Sequence, residues 1–124
     1  MKLLARTLDV SDDDELQQLF RERGWTDGLP VVAPTPARVE AMLSHSAFAP
    51  DQVIGVESVK ERALTAEKVA VNAVLAGCLP PDFPVVAAAV EAMCRPEFLV
   101  HGATASTGGC AVLLVVNGPI RRQL

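Results

Sequence analysis

Tyrosine is missing from these 124 residues, and four Phe and one Trp make up the whole aromatic complement. The apolar half of the composition is therefore mostly alanine, valine and leucine, which suit close helix packing and continuous subunit interfaces. Basic clusters are missing too. Lys and Arg number 11 against 15 Asp and Glu, a formal charge of −4, and Arg121-Arg122 is only a pair. Phosphate binding needs a basic stripe, so nucleic acid is not an expected partner. The apolar runs are too short, and too often broken by proline, to span a bilayer, so a membrane is not expected either. Met1-Lys2-Leu3-Leu4-Ala5 is followed at once by Arg6 and then by acidic residues, which is not a secretory signal. The three cysteines form no C-x-x-C pair, and an odd count without a signal implies reduced thiols in the cytoplasm. Gly-rich nucleotide fingerprints, P-loops, HExxH and GxSxG patterns are absent, so no motif indicates a cofactor.

What is present fits one domain, 1–124, with a single core. Ser11-Asp12-Asp13-Asp14 reads as a capping box with Ser11 as N-cap, and Leu16, Leu19 and Phe20 follow at helical spacing. The first helix is expected from about Asp12 to Arg23, with Gly24 just past its end. Asp27-Gly28 is a turn, and Leu29–Val32 a short edge strand, since Pro30 cannot donate to a ladder. Thr35-Pro36 starts a second helix whose apolar face is Val39, Met42 and Leu43. Gln52–Val59 reads as a strand weakened by Gly55. Thr65 caps a third helix over about Ala66–Ala76, apolar nearly all round and therefore central, with Asn72 as its polar exception. A fourth helix runs near Phe83–Cys94 and stops at Pro96.

The final stretch organises this reading. Cys110–Val116 contains six consecutive apolar residues between glycines, the pattern of a strand buried on both faces. The expected fold is mixed α/β: about four helices around a small sheet with Ala111–Val116 as its central strand. The chain stops at Leu124 soon after that strand, which predicts completion by oligomerisation or by a second subunit.

Four pieces together, GWTDGLPVVAPTPARVEAML (24–43), AVNAVLAGC (70–78), PPDFPVVAAAVEAM (80–93) and VVNGPI (115–120), resemble the UGSC family of bacterial proteins, over roughly residues 24–120. That family is named for a selenocysteine-or-cysteine-Gly-Ser-Cys motif, which suggests thiol or selenol redox chemistry. The motif itself is absent here, where Cys110 follows Gly108-Gly109. Family members continue beyond the NGPI turn, so the resemblance implies half of a family domain, with the rest on a partner. It also implies an enzyme subunit, with lyase or redox chemistry on a C–S or related bond.

The candidate site residues follow from their chemistry. His101 can act as general base, proton donor or ligand. Cys110, beside a Gly-Gly turn and near His101, is an optional nucleophile. Trp25 and Thr26 could wall a pocket with Gly28 while Asp27 binds or accepts a proton, although a tryptophan plug over an Asx-turn explains the same residues. HGATASTGG (101–109) would present Thr107, Gly108 and Gly109 to an anionic group through hydroxyl and backbone N–H contacts, unless it is simply a turn feeding the strand. Asn117, at a strand end, lies where open α/β sheets place ligands. His45 reads as a surface residue at a helix end. Cys78 and Cys94 follow helix C-termini, where the macrodipole raises a thiol pKa, and read as small buried hydrophobes. The favoured expectation is an enzyme subunit binding a small organic acid or thiol at a subunit interface. The alternatives are a non-catalytic subunit that completes a catalytic partner, and a metal module using Cys78, Cys94, Cys110 and His101.

Overall fold

The computed structural model of the chain describes residues 1–105 and 107–124; Ser106 and the side chain of Ala103 lie outside the described residues. The element order is α1 (Asp13–Glu22), α2 (Pro36–Leu43), β1 (Val53–Glu57), β2 (Arg62–Thr65), α3 (Ala66–Leu75), α4 (Phe83–Met93) and α5 (Val100–Thr104). Short 3₁₀ turns occupy Pro80–Asp82, Pro96–Phe98 and Pro119–Arg122. The mixed helix-and-sheet class is as expected. Five helices form among the described residues, the first four where the apolar spacing placed them and α5 in what read as loop. No helix among the described residues is long and apolar enough to cross a membrane.

The caps explain the helix starts. Thr35 and Thr65 accept the backbone N–H of Arg38 and Lys68, closing the first turns of α2 and α3. At α1 the cap is Asp12 rather than Ser11. Asp12 accepts the Glu15 amide, and the Glu15 carboxylate reaches back to the Ser11 amide and hydroxyl. The hydrogen bond from the Ser11 hydroxyl, with that from its amide, holds the Glu15 carboxyl below its usual range. Gly24, with φ +65°, ends α1 as a left-handed residue.

Helix α3 is the centre. Ala66, Val69, Ala70, Ala73 and Val74 are buried against Val39, Met42 and Leu43 of α2 on one side and Phe83 and Ala87 of α4 on the other. Alanines at the contact let the helices approach closely, which suits a chain with so few aromatics. Asn72 points to the exposed side and donates to the Lys68 carbonyl, so it needs no buried partner.

The sheet differs from the expected one. Strands β1 and β2 form an antiparallel hairpin in the register Val53↔Thr65, Gly55↔Leu64, Val56↔Ala63, Glu57↔Arg62. Ile54 is the extra residue of a bulge, and it turns into the core. Gly55 lies against α4: a Cβ there would stand 2.6 Å from the Sγ and 2.7 Å from the Cβ of Cys94. Leu29–Val32 does not form a strand, although the Val32 amide donates to the Leu75 carbonyl at 3.2 Å.

Ala111–Val116 is not a central strand. The segment has no regular structure, and Leu113 and Val115 are 83% and 72% exposed. A strand buried on both faces needs neighbours on both sides, and the described residues supply only a two-stranded hairpin, whose Ile54 already faces the helical core.

At the other end, the extended arm before α1 is fastened to α3. Glu67, only 4% exposed, accepts the Leu4 amide at 2.9 Å and the Ala5 amide at 2.8 Å. These donors compensate the cost of burying its charge. Glu67→Ala is expected to lower unfolding stability by about 1–3 kcal/mol in urea titrations, the cost of leaving such donors unmatched. Gly55→Ala is expected to cost about 1–3 kcal/mol through overpacking against Cys94, whereas Gly109→Ala, with nothing within 4 Å of its added methyl, leaves the midpoint unchanged.

Candidate functional site: the Glu57–His101 pair

The polar constellation that joins distant parts of the chain is built on the end of β1. The Glu57 carboxylate accepts the amides of Val59 at 2.6 Å and Lys60 at 2.9 Å, closing the turn that leads to β2. The same carboxylate takes His101. Leu99, at φ 52°, is in the left-handed region and turns the chain from the Pro96–Phe98 turn into α5. That turn places His101 Nε2 in contact with Glu57 Oε1, an ion pair whenever the imidazole carries both protons. The Val59 amide is the largest influence on Glu57, opposed by partial desolvation and reinforced by the Lys60 amide and His101; together they bring its pKa down to about 2.

Cys94, the residue that ends α4, adjoins this pair. Burial pushes its thiol pKa up, and the negative charge of Glu57 adds to the effect. The expected direction is therefore present, but its cause is desolvation and a neighbouring carboxylate. A thiol raised in this way stays protonated and is a poor nucleophile. With Nε2 engaged by Glu57, Nδ1 is the nitrogen of His101 left to exchange a proton with a small molecule. A carboxylate-oriented imidazole is a recurrent device for general acid–base catalysis.

Trp25, Thr26, Asp27 and Gly28 lie in a different setting. Trp25 is 49% exposed and tilts against Phe20 with ring centroids 5.9 Å apart. The Thr26 hydroxyl donates to the Leu29 carbonyl and accepts the Gly28 amide, and Asp27 accepts the Leu29 amide at 3.4 Å. Gly28, at φ +116°, takes the one conformation in this turn that a side chain disfavours. The polar atoms of the turn are thus engaged with one another. A cavity of about 1140 Å³ lies between the arm, α1, residues 33–40 and α3, with Arg6, Phe20, Trp25, Glu67 and Leu75 in its wall. Asp27, His101, Cys110 and Asn117 do not line it.

Thr107, Gly108, Gly109, Cys110 and Asn117 are all exposed, and Ser106 of the same loop lies outside the described residues. The first part of HGATASTGG is helical, since α5 takes Val100–Thr104. Cys110 is an exposed thiol, not a buried strand residue, and Asn117 ends an exposed segment, not a strand. Cys78 and Cys94 are half-buried, as small apolar fillers. Cys78, Cys94, Cys110 and His101 do not assemble: among the described residues no three His, Cys, Asp or Glu side chains converge as metal ligands would. His45 behaves as a helix-end residue, with Nδ1 3.1 Å from the Ala41 carbonyl. Glu57 is the site residue that sequence reasoning missed, because it sat inside a stretch read as continuous strand.

No family model, curated protein or solved structure matches this chain.

The lowered Glu57 pKa carries a sign. Its unfolded value is near 4.5 and its folded value about 2, so the stabilisation is fully present above pH 4.5 and is lost as pH falls towards 2. In thermal melts between pH 6 and pH 2, Glu57→Gln is therefore expected to flatten the acid limb of the Tm profile. An acid limb in the variant as steep as that of the parent would remove the carboxylate from this role.

Proposed function

We propose that this chain is a subunit of a small-molecule enzyme in which His101, oriented by Glu57, moves a proton. The contact between His101 Nε2 and Glu57 Oε1 carries the reading, because it fixes the ring and leaves Nδ1 for a bound molecule. The proton of a thiol or of an acidic C–H passes to Nδ1, and the Glu57 charge stabilises the imidazolium that results. The resemblance to the UGSC family adds the class of reaction: lyase or redox chemistry on a C–S or related bond of a small organic acid or thiol. The exposed Cys110 thiol, Thr107, Gly108, Gly109 and Asn117 follow His101 along the chain, and they form the substrate-facing surface in this reading. In this reading the site lies at a subunit interface, where a partner encloses it.

A second reading has its own support. Leu113 and Val115 are exposed on an apolar segment, which favours a non-catalytic subunit that completes a catalytic partner.

Thermal-shift titration with a panel of small carboxylic acids and thiols separates the two. Under the enzyme reading, at least one compound stabilises the parent protein, by about 2.7 kcal/mol at a concentration 100 times its Kd. That stabilisation is expected to vanish in His101→Ala and to weaken in Glu57→Gln. Equal stabilisation of the parent and His101→Ala, or none by any compound, would overturn the acid–base assignment in favour of the non-catalytic subunit.

A further inference from the structure

The cavity between the N-terminal arm, α1, residues 33–40 and α3 lies apart from the Glu57–His101 pair, neither of which lines it. Its walls have a chemistry of their own. Helix α1 is amphipathic, yet its apolar side does not join the core: Phe20 is buried outside the cluster formed by α2, α3 and α4. Leu16 and Leu19 of α1 and Val71 and Leu75 of α3 are only half-buried, and all four line the cavity of about 1140 Å³. Trp25, 49% exposed, stands in the same wall. Pockets of roughly 300–1,000 Å³ hold drug-sized molecules, so this space suits an extended apolar body rather than a very short acid.

The charged groups of the wall decide the polar end of such a ligand. Glu67 is occupied by the Leu4 and Ala5 amides, Glu40 by the Met1 amino group at 3.3 Å, and Asp12 by the Glu15 amide. Asp13 lies in the first turn of α1, where the helix dipole favours a negative charge. Arg38 donates to the Ala33 carbonyl at 2.9 Å. Arg6 also lines the cavity, but among the described residues its guanidinium makes no ion pair and no hydrogen bond. A guanidinium is a fork of donors matched to a carboxylate. We infer that the cavity binds an amphipathic carboxylate, its aliphatic chain against Leu16, Leu19, Val71 and Leu75 and its carboxylate on Arg6. A cationic head would meet carboxylates that already have partners, and a neutral head would gain little from Arg6. The walls come from four segments of one chain, so this site is independent of any second subunit and of His101 chemistry.

Trp25 fluorescence tests the inference, because the chain holds no other tryptophan. Dodecanoate, titrated below its micelle threshold, is expected to shift the Trp25 emission saturably, at one molecule per chain. Dodecanol and dodecyltrimethylammonium carry the same chain without the carboxylate. Each is expected to bind about fivefold more weakly, the upper end for a partly solvated ion pair. Arg6→Gln is expected to bring dodecanoate to the affinity of dodecanol with unchanged circular dichroism, since Arg6 is exposed. Leu16→Asn, which puts an amide in the apolar wall, is expected to weaken all three probes several-fold. The absence of a saturable response to dodecanoate overturns the inference. So does a parent protein that binds dodecanol or the ammonium probe as tightly, an Arg6→Gln variant that keeps the preference for the acid, or a Leu16→Asn variant that binds like the parent. His101→Ala is expected to bind dodecanoate as the parent does, so failure here and failure of the acid–base reading are distinguishable.

Discussion

A single carboxylate connects elements that are far apart in the chain. Glu57 receives two amides from the turn that follows it and the imidazole of His101 from α5. Ion pairs at a surface contribute little by themselves, because water screens them and two long side chains must be held still. Here the carboxylate is already fixed by backbone donors before His101 arrives, so the pairing requires less ordering. Two residues upstream, the bare backbone of Gly55 lets the end of α4 lie against β1 through Cys94. Residues 55–57 thus join the hairpin to both α4 and α5. Burial at this contact, and then the Glu57 charge, make the Cys94 thiol less acidic, while the Val59 and Lys60 amides and His101 make the Glu57 carboxyl more so.

The helical core was legible because its signals are local and repeat. Thr35-Pro36 and Thr65 are caps whose side chains act on amides three residues away, and Val39, Met42 and Leu43 fall on one face by spacing alone. Strand β2 was not legible. Its four residues, Arg-Ala-Leu-Thr, are too few to show alternation, and the bulge at Ile54 disturbs the period of its partner. Ala111–Val116 failed for the opposite reason. Its composition is that of a buried strand, but burial is a property of neighbours, and the neighbours needed on both faces are not among the described residues.

The candidate site was legible in part. His101 stood out by residue type, and the structure gives it a partner. The partner itself lies 44 positions away, in a stretch where a glutamate carries no distinguishing pattern. Thr26, Asp27 and Gly28 were readable as a turn, and their hydrogen bonds are those of a turn. Cys110 illustrates a further limit. Whether a cysteine is buried, exposed or activated depends on the placement of the segment after it, and that placement is where the expected sheet and the observed fold part company.

The clasp between Glu67 and the amides of Leu4 and Ala5 closes a loop of more than sixty residues. Contacts of such sequence separation carry a large loop-closure cost and form late in folding, after local helices and hairpins. Glu67 lies at the start of α3, so the clasp can close only once that helix has settled against its neighbours. Because the same arm forms a wall of the cavity beside Trp25, loss of the Glu67 clasp would remove that wall as well as the fastening of the N-terminus.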